Sequence, residues 1–323
     1  MRERPLVSVV LSFRNEESVI PELVARLQKA LRGAGLAYEL VFVNDASSDG
    51  SLALLEEQHR MDPAVKVVNM SRRFGVAPCV IAGMRYAQGD AVVYMDADLQ
   101  DPPELIPELV ARWREGAEVV YTVRTARHGE HGGKLWLTRL AYRAVARLSE
   151  LELPEEAGDF KLLSRRAVTH LLAFSERDLY VRGLVSWLGF RQVAVPYERQ
   201  PRAGGETHFP LLRLGPVAAF ATAVTSFSHL PLIFFLLLGL AGGALSGLAL
   251  VGLTALALLG VVTSASPAWI AFAALLWSTL AAGIGVIGLY VARIHREVLG
   301  RPRYIVESTL GLGEPERGYS GSA

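Results

Sequence analysis

Residues Val92–Glu104 read VVYMDADLQDPPE, an apolar run that ends in three closely spaced carboxylates and two prolines. A run this short, β-branched and bounded by turn residues predicts a strand covered on both faces. Side chains two apart on a strand share a face, so Asp96 and Asp98 aim at one point if the strand geometry persists. Two such charges ~5 Å apart repel by roughly 3 kcal/mol at an effective dielectric near 20. A divalent cation offsets that cost, and carboxylate oxygens suit Mg²⁺ or Mn²⁺, ions that bind through one or two carboxylates plus substrate phosphates. A solvated acidic turn capping the next helix explains the same residues, and D-x-D alone does not choose.

The surrounding chain repeats the pattern. Leu6–Ser12 reads as a strand, and Glu16–Arg32 as an amphipathic helix with Val19, Leu23, Leu27 and Leu31 on one side and Pro21 in its first turn. Tyr38–Val43 is a second strand, followed by a helix from Ser51. Val65–Asn69 is a third strand, Val76–Gln88 a helix, Ala91–Met95 the fourth strand and Pro103–Glu115 another helix. Alternation of this kind predicts an α/β fold with a mainly parallel sheet, whose ligands gather beyond the carboxyl ends of the strands. Three polar clusters fall there: SFRNEE from Ser12, NDASSDG from Asn44 and DADLQD from Asp96. The second also suits an Asx turn through Asn44, Asp45 and Ser47. Two acidic strand ends in one sheet favour a shared site.

Among 323 residues, 33 Lys and Arg balance 32 Asp and Glu, so no global basic field points to nucleic acid. The one cysteine, Cys79, cannot form an intramolecular disulfide, which fits a reducing compartment and a core-packing role. The N-terminal apolar run is only about eight residues long and breaks into Arg14, Asn15 and Glu16, so it reads as the first strand rather than a secretion signal. The catalytic region is therefore expected to stay in the cytoplasm. His128 and His131 lie in a Gly-rich loop with no Cys or third His nearby, which disfavours zinc.

The 51% apolar content is unevenly spread: Leu232–Leu289 contains no Asp, Glu, Lys, Arg or His. Uncharged runs over 232–262 and 268–291 exceed the ~20 residues needed to cross a bilayer core. The turn TSASP between them makes a hairpin. Arg202 and Arg213 before it, with Arg293, Arg296, Arg301 and Arg303 after it, place both ends in the cytoplasm. The competing reading is a buried helical core. Phe209–His229 suits either an interfacial helix or a plain connector. Small residues in GLAGGALSG, Gly239–Gly247, allow close helix approach, within one hairpin or in a homo-oligomer.

SVVLSFRNEE (from Ser8), FVNDASSDGS (Phe42), SRRFG (Ser71), MDADLQDPPELIPE (Met95), EEAGDFKLLSRR (Glu155), RGLVSWLGF (Arg182), VPYERQPRAGGETHFP (Val195) and TSFSHLPL (Thr225) occur together in this order. In these motifs the chain resembles family 2 glycosyltransferases of the polyprenyl-phosphate group, such as dolichol-phosphate mannose synthases and bacterial undecaprenyl-phosphate glucosyltransferases. The resemblance implies a GT-A catalytic domain over 1–208, a juxtamembrane helix over 209–230, a two-helix transmembrane hairpin over 231–292 and a basic cytoplasmic tail over 293–323, in a multi-pass protein of the inner membrane. It implies a nucleotide-sugar donor, a polyprenyl phosphate acceptor and Mg²⁺ or Mn²⁺. It assigns Asp96, Asp98 and Gln100 to the metal and Asp159 to catalysis. Ser12, Phe13, Glu16, Asp45, Gly75, Asp96, Ala97 and Arg202 fall to the donor nucleotide, and Arg124, Lys134 and Thr138 to the acceptor phosphate. Ser12 and Arg14 replace the family's usual proline and aromatic, and Asn44, Arg73 and Glu156 are further departures. UDP-glucose is the first donor expected, ahead of GDP-mannose, UDP-N-acetylglucosamine and UDP-aminoarabinose. A processive synthase, a nucleotidyltransferase and a nucleotide-binding membrane scaffold without turnover are the competing functions.

Overall fold

The computed structural model describes residues 5–126, 157–177, 180–198, 230–259 and 266–313. Strands β1 (Leu6–Phe13), β2 (Ala37–Asn44), β3 (Val65–Met70) and β4 (Ala91–Asp96) alternate with helices α1 (Ile20–Gly33), α2 (Ser51–Met61) and α3 (Val76–Tyr86). A 3-10 turn, Pro103–Leu105, then opens α4 (Ile106–Arg114). Strands β5 (Val119–Ala126) and β6 (Ala157–Ser164), helices α5 (Arg165–Ala173) and α6 (Val181–Trp187), and β7 (Gln192–Glu198) complete the first part of the chain. Two long helices, α7 (Leu230–Leu258) and α8 (Ser266–Val298), precede a last strand, β8 (Val306–Leu310).

The eight strands form one sheet in the order β7-β5-β6-β4-β1-β2-β3-β8. Four of the seven pairings are parallel, as the alternation predicts. The other three, at β3–β8, β4–β6 and β5–β6, are antiparallel and were not read from the sequence. Because β6 runs against β4 and β5, its start lies beside their ends. That reversal brings Asp159 to the edge of the sheet where Asp96 and Arg124 stand.

Alternate strand residues feed two cores. Val9, Leu11, Phe42 and Val93 pack with α1 and α4, whereas Val10, Val43 and Val92 pack with α3, α5 and α6. On α1, Leu23, Leu27 and Leu31 are fully buried, each contributing roughly 2 kcal/mol by removal from water. This helix starts at Ile20 rather than Glu16, because the Glu16 and Glu17 amides donate to Ser51 Oγ (3.0 Å) and Asp49 Oδ2 (3.2 Å) of the neighbouring loop. Helix α3 lies flush on the sheet at Gly83, where a Cβ would meet Val10 Cγ1 at 2.3 Å. Cys79 on α3 is buried, and burial, followed by the charge of Asp45, pushes its thiol pKa upward.

At the amino ends of the strands sits a buried polar cluster. Glu39, 2% exposed, accepts from Ser8 Oγ (2.5 Å), Lys66 Nζ (2.6 Å) and the Gln88 amide (2.5 Å). Burial pushes this carboxyl pKa up, but Lys66, Ser8 and Gln88 outweigh it and hold it below its ordinary value. Glu39→Ala strands the Lys66 ammonium and should cost about 3–5 kcal/mol. Urea unfolding is expected to show that loss as a lower midpoint with an unchanged slope.

Helices α7 and α8 pack antiparallel: a Cβ on Gly283 would meet Phe235, and one on Gly242 would meet Leu276, each at 3.5 Å. Of the glycines in Gly239–Gly247, only Gly242 faces the partner helix at this distance. The apolar surfaces point outward, with Phe234, Leu248 and Trp277 among the exposed side chains, which contradicts the buried-core alternative. Among the described residues, Leu275–Val298 alone is long and apolar enough to cross a membrane; the apolar stretch Phe234–Ala249 of α7 is shorter. The end of α8 is tied to the segment that follows α5. Arg293 pairs with Glu176 (3.6 Å), Glu297 Oε1 accepts from the Arg177 amide (2.7 Å), and Arg303 donates to the Phe174 carbonyl. The segment expected to be a basic tail thus contains β8, which closes the sheet against β3. Residues 209–229 and most of the TSASP turn lie outside the described residues.

Candidate active site

The carboxyl ends of β1, β2 and β4 carry the three polar clusters, and the first two are stitched together. Asn15 Oδ1 accepts from the Ser48 amide (2.8 Å), the Asn15 amide donates to Ser47 Oγ (3.0 Å), and Glu17 Oε2 accepts from the Gly50 amide (2.9 Å). The Asx-type contact expected at Asn44 is present, with its Oδ1 accepting from the Ser47 amide at 2.9 Å. Among the described residues three non-glycine residues have left-handed backbone, Asn15 (φ 55), Ala46 (φ 54) and Leu99 (φ 58), one in each cluster. Strain of this kind persists where the surroundings over-determine it and concentrates at functional sites.

Beyond β4, burial alternates residue by residue. Asp96, Asp98 and Gln100 are partly exposed, while Ala97, Leu99 and Asp101 are buried. The three proposed metal ligands therefore share the accessible side of one loop. The Asp98 carboxylate also accepts the Gln100 amide (3.1 Å), which helps set the turn around Leu99.

The β4–β6 register pairs Tyr94 with Lys161. Asp96 and Asp159 each lie two residues from that pair, so they continue it on the same face of the sheet. Asp159 is held by Arg182 of α6, whose Nε and Nη2 donate to Oδ1 (3.2 Å) and Oδ2 (2.6 Å). Burial pushes the Asp159 carboxyl pKa up, but Arg182, with Lys161 and Arg124, outweighs it and holds the value below the usual carboxylate range. Beneath them Lys161 is 2% exposed, and burial, then the charge of Arg182, pushes its pKa down to about 7 against the pull of Asp159. The buried Tyr94 hydroxyl faces the same charges, and its pKa is pushed up by burial and then by Asp159.

One strand further, Arg124 on β5 is in register with Tyr197 on β7 and donates from Nε to its hydroxyl (3.3 Å). Tyr197 in turn donates to Asp101, the residue after Gln100. Among the described residues, then, the sheet end gathers Asp96, Asp98, Gln100, Asp159, Arg182 and Arg124.

A profile of the family described as Glycosyl transferase family 2 matches residues 8–172. The chain is 41% identical over 306 residues to the uncharacterized glycosyltransferase YkcC of Bacillus subtilis, covering 94% of each. The chain belongs to glycosyl transferase family 2. This glycosyltransferase is also 32% identical over 304 residues to the SfII prophage-derived bactoprenol glucosyl transferase of Shigella flexneri, covering 94% of this chain and 98% of that one. A solved structure similar to this glycosyltransferase is the mannosyltransferase PcManGT from Pyrobaculum calidifontis in complex with GDP-Man and Mn²⁺ (TM-score 0.46, 18% identity, 93% and 89% of the two chains). The sheet domain of this family 2 glycosyltransferase has the GT-A fold.

In this glycosyltransferase the other positions that the resemblance assigns to a donor nucleotide are built as follows. Asp45 accepts the amides of Phe74 (2.6 Å) and Gly75 (3.0 Å), which fixes the SRRFG loop beside the site. Gly75 has φ +94, a conformation that favours glycine, with open space where a Cβ would stand. Ser12 and Glu16 are buried at the end of β1, and Phe13 turns its ring into the core, edge-on to Phe42. Arg202, Lys134 and Thr138 lie outside the described residues, as do Arg127, His128 and His131.

The donor set suits a divalent cation that borrows ligands. Among the described residues no three His, Cys, Asp or Glu side chains form a metal-binding group. Two carboxylates and an amide oxygen on one accessible edge match a hard ion completed by substrate phosphates. Sequence reasoning assigned no role to Arg182, Lys161, Tyr94, Asp101 or Tyr197, although each lies inside or beside a motif quoted for the resemblance.

Proposed function

We propose that this glycosyltransferase moves a sugar, glucose from UDP-glucose in the first instance, onto polyprenyl (undecaprenyl) phosphate with inversion, at the cytoplasmic face of the inner membrane. The observation that carries the proposal is the convergence at one sheet end of the Asp96–Asp98–Gln100 edge, the Asp159–Arg182 pair and Arg124. The relatives named as bactoprenol glucosyl transferases support both the acceptor and the sugar.

Ser12, Phe13, Glu16, Asp45, Gly75, Ala97 and Arg202 form the donor nucleotide site, and Arg124, Lys134 and Thr138 take the acceptor phosphate. Asp96, Asp98 and Gln100 would hold Mg²⁺ or Mn²⁺, which when bound neutralises charge developing on the leaving diphosphate. Arg124 orients the acceptor phosphate, and one of its oxygens attacks the anomeric carbon from the face opposite the diphosphate. An O–C bond forms, the bond to the diphosphate breaks, and its electron pair leaves with the diphosphate. The nucleophile is already an anion, so the step needs no proton acceptor. Asp159, kept ionised by Arg182, is a weak base and serves instead to stabilise positive character on the sugar ring and to fix Arg182.

The membrane reading assigns 1–208 to the catalytic domain, 209–230 to the juxtamembrane segment, 231–292 to a hairpin and 293–323 to a cytoplasmic segment ending the chain. The antiparallel packing of α7 on α8 and the return of β8 to the sheet support a hairpin with both ends on the catalytic side. Arg293, Arg296, Arg301 and Arg303 at that side agree with a cytoplasmic placement.

The test is a panel of radiolabelled nucleotide sugars with undecaprenyl phosphate, using the full chain in detergent with Mn²⁺ or Mg²⁺. The expected result is a chelator-sensitive lipid product carrying glucose. Another sugar on the lipid would correct the donor, and a nucleotide on the lipid would replace the reaction class. Donor binding without turnover would favour a scaffold.

A further inference from the structure

We propose that Tyr197 is a positioning residue that ties the acceptor-phosphate arginine to the metal-binding loop, so that donor and acceptor sites are set as one unit. The inference rests on the reading of Arg124 as the acceptor-phosphate ligand. It uses a chain of three side chains drawn from three separate elements.

The direction of each hydrogen bond is fixed by chemistry. An arginine only donates, so the Tyr197 oxygen receives Arg124 Nε at 3.3 Å and its single phenolic proton goes to Asp101. Burial, followed by the charge of Asp101, pushes the phenol pKa up to about 12, so that proton stays in place through the neutral range. Two of the three links are buried. Asp101 is fully buried, Tyr197 is 6% exposed, and its ring stands edge-on to Phe160 with centroids 6.4 Å apart. Direct register between Arg124 and Tyr197 across β5 and β7 holds the other end.

The geometry leaves the arginine fit for its task. Its contact with Tyr197 uses Nε, and the two terminal nitrogens are the ones that fork onto a phosphate. On the other side, Asp101 follows Gln100 directly and precedes Pro102 and Pro103, so a displacement of the metal loop on donor binding is passed to the guanidinium. An arginine anchored only by its own strand would not feel that loop. A coupling free energy between the two substrates follows, and it is reciprocal.

Tyr197→Phe keeps the ring and removes the hydroxyl. The expected result is a rise of about tenfold in KM for undecaprenyl phosphate, in line with loss of a hydrogen bond to a charged group. Donor affinity measured with acceptor bound should weaken by the same factor, while donor affinity without acceptor stays at the wild-type value; the thermal midpoint should fall, because buried Asp101 loses the phenol's hydrogen bond. In an Arg124→Ala background the same change should add nothing to the acceptor KM. A folded Tyr197→Phe protein with wild-type acceptor KM, or effects that add in the double variant, would overturn the proposal. A wild-type acceptor KM in Arg124→Ala alone would instead remove Arg124 as the phosphate ligand, and the proposal with it. Should Tyr197→Phe fail to fold, Asp101→Asn is the second variant, expected to raise the acceptor KM in the same direction; an unchanged value there overturns the tie.

Discussion

Asp96→Ala and Asp98→Ala proteins are expected to fold normally and to lose transfer by about a thousandfold, the scale of removing one main electrostatic contact to a developing charge. Both side chains stand on the accessible edge of their loop rather than in either core. Each change also relieves repulsion between neighbouring carboxylates, so the thermal midpoint should move by no more than ~3 °C. The measurement is the initial rate of lipid-product formation over a Mn²⁺ series beside a thermal melt. Retained metal-dependent transfer in either variant would remove the assignment of these residues to the cation.

Arg182→Met should have the next largest effect, about a hundredfold on the rate near neutral pH, and it should reshape the pH profile. In the native protein the Asp159 pKa lies below the usual carboxylate value, so the group is ionised throughout the neutral range. The stabilisation from its ion pair is complete above the unfolded-state value of ~3.9 and is lost as pH falls through the lower folded value. Without Arg182, burial is opposed only by the more distant Lys161 and Arg124, and the Asp159 pKa rises. The acid limb of the rate profile therefore moves to higher pH. A rate profile measured from about pH 3 to about pH 8 tests this. An acid limb that stays in place while activity falls would mean that Arg182 acts on the substrate and not on the charge of Asp159.

The first half of the fold was legible because its signals are local. Each strand from β1 to β4 is an apolar run with turn residues at its end, and each helix between them has a periodic stripe. The acidic edge was legible for the same reason, since Asp96, Asp98 and Gln100 share a face by spacing alone. The antiparallel β6 was hidden inside a motif quoted only for its resemblance, and nothing in GDFKLLS announces strand direction. Strand β8 reads VESTL, a five-residue edge strand with exposed polar positions, and its partner β3 lies more than two hundred residues earlier.

The pairings that shape the site were illegible for a plainer reason. Arg182 reaches Asp159 across 23 residues, and Tyr197 reaches Asp101 across 96, so no helical or strand period links them. Only the sheet order brings those side chains together. The role of Asp159 followed suit: sequence offered a base or an electrostatic group, and the bidentate arginine favours the latter.

The most direct test of substrate convergence is ³¹P relaxation of undecaprenyl phosphate in nanodiscs holding the full chain, with Mn²⁺ and UDP added. Strong paramagnetic broadening of the lipid phosphate that disappears in Asp96→Ala and in Arg124→Ala is the expected result. A lipid phosphate left sharp while Mn²⁺ and UDP are bound would show that the two substrates do not meet at this end of the sheet.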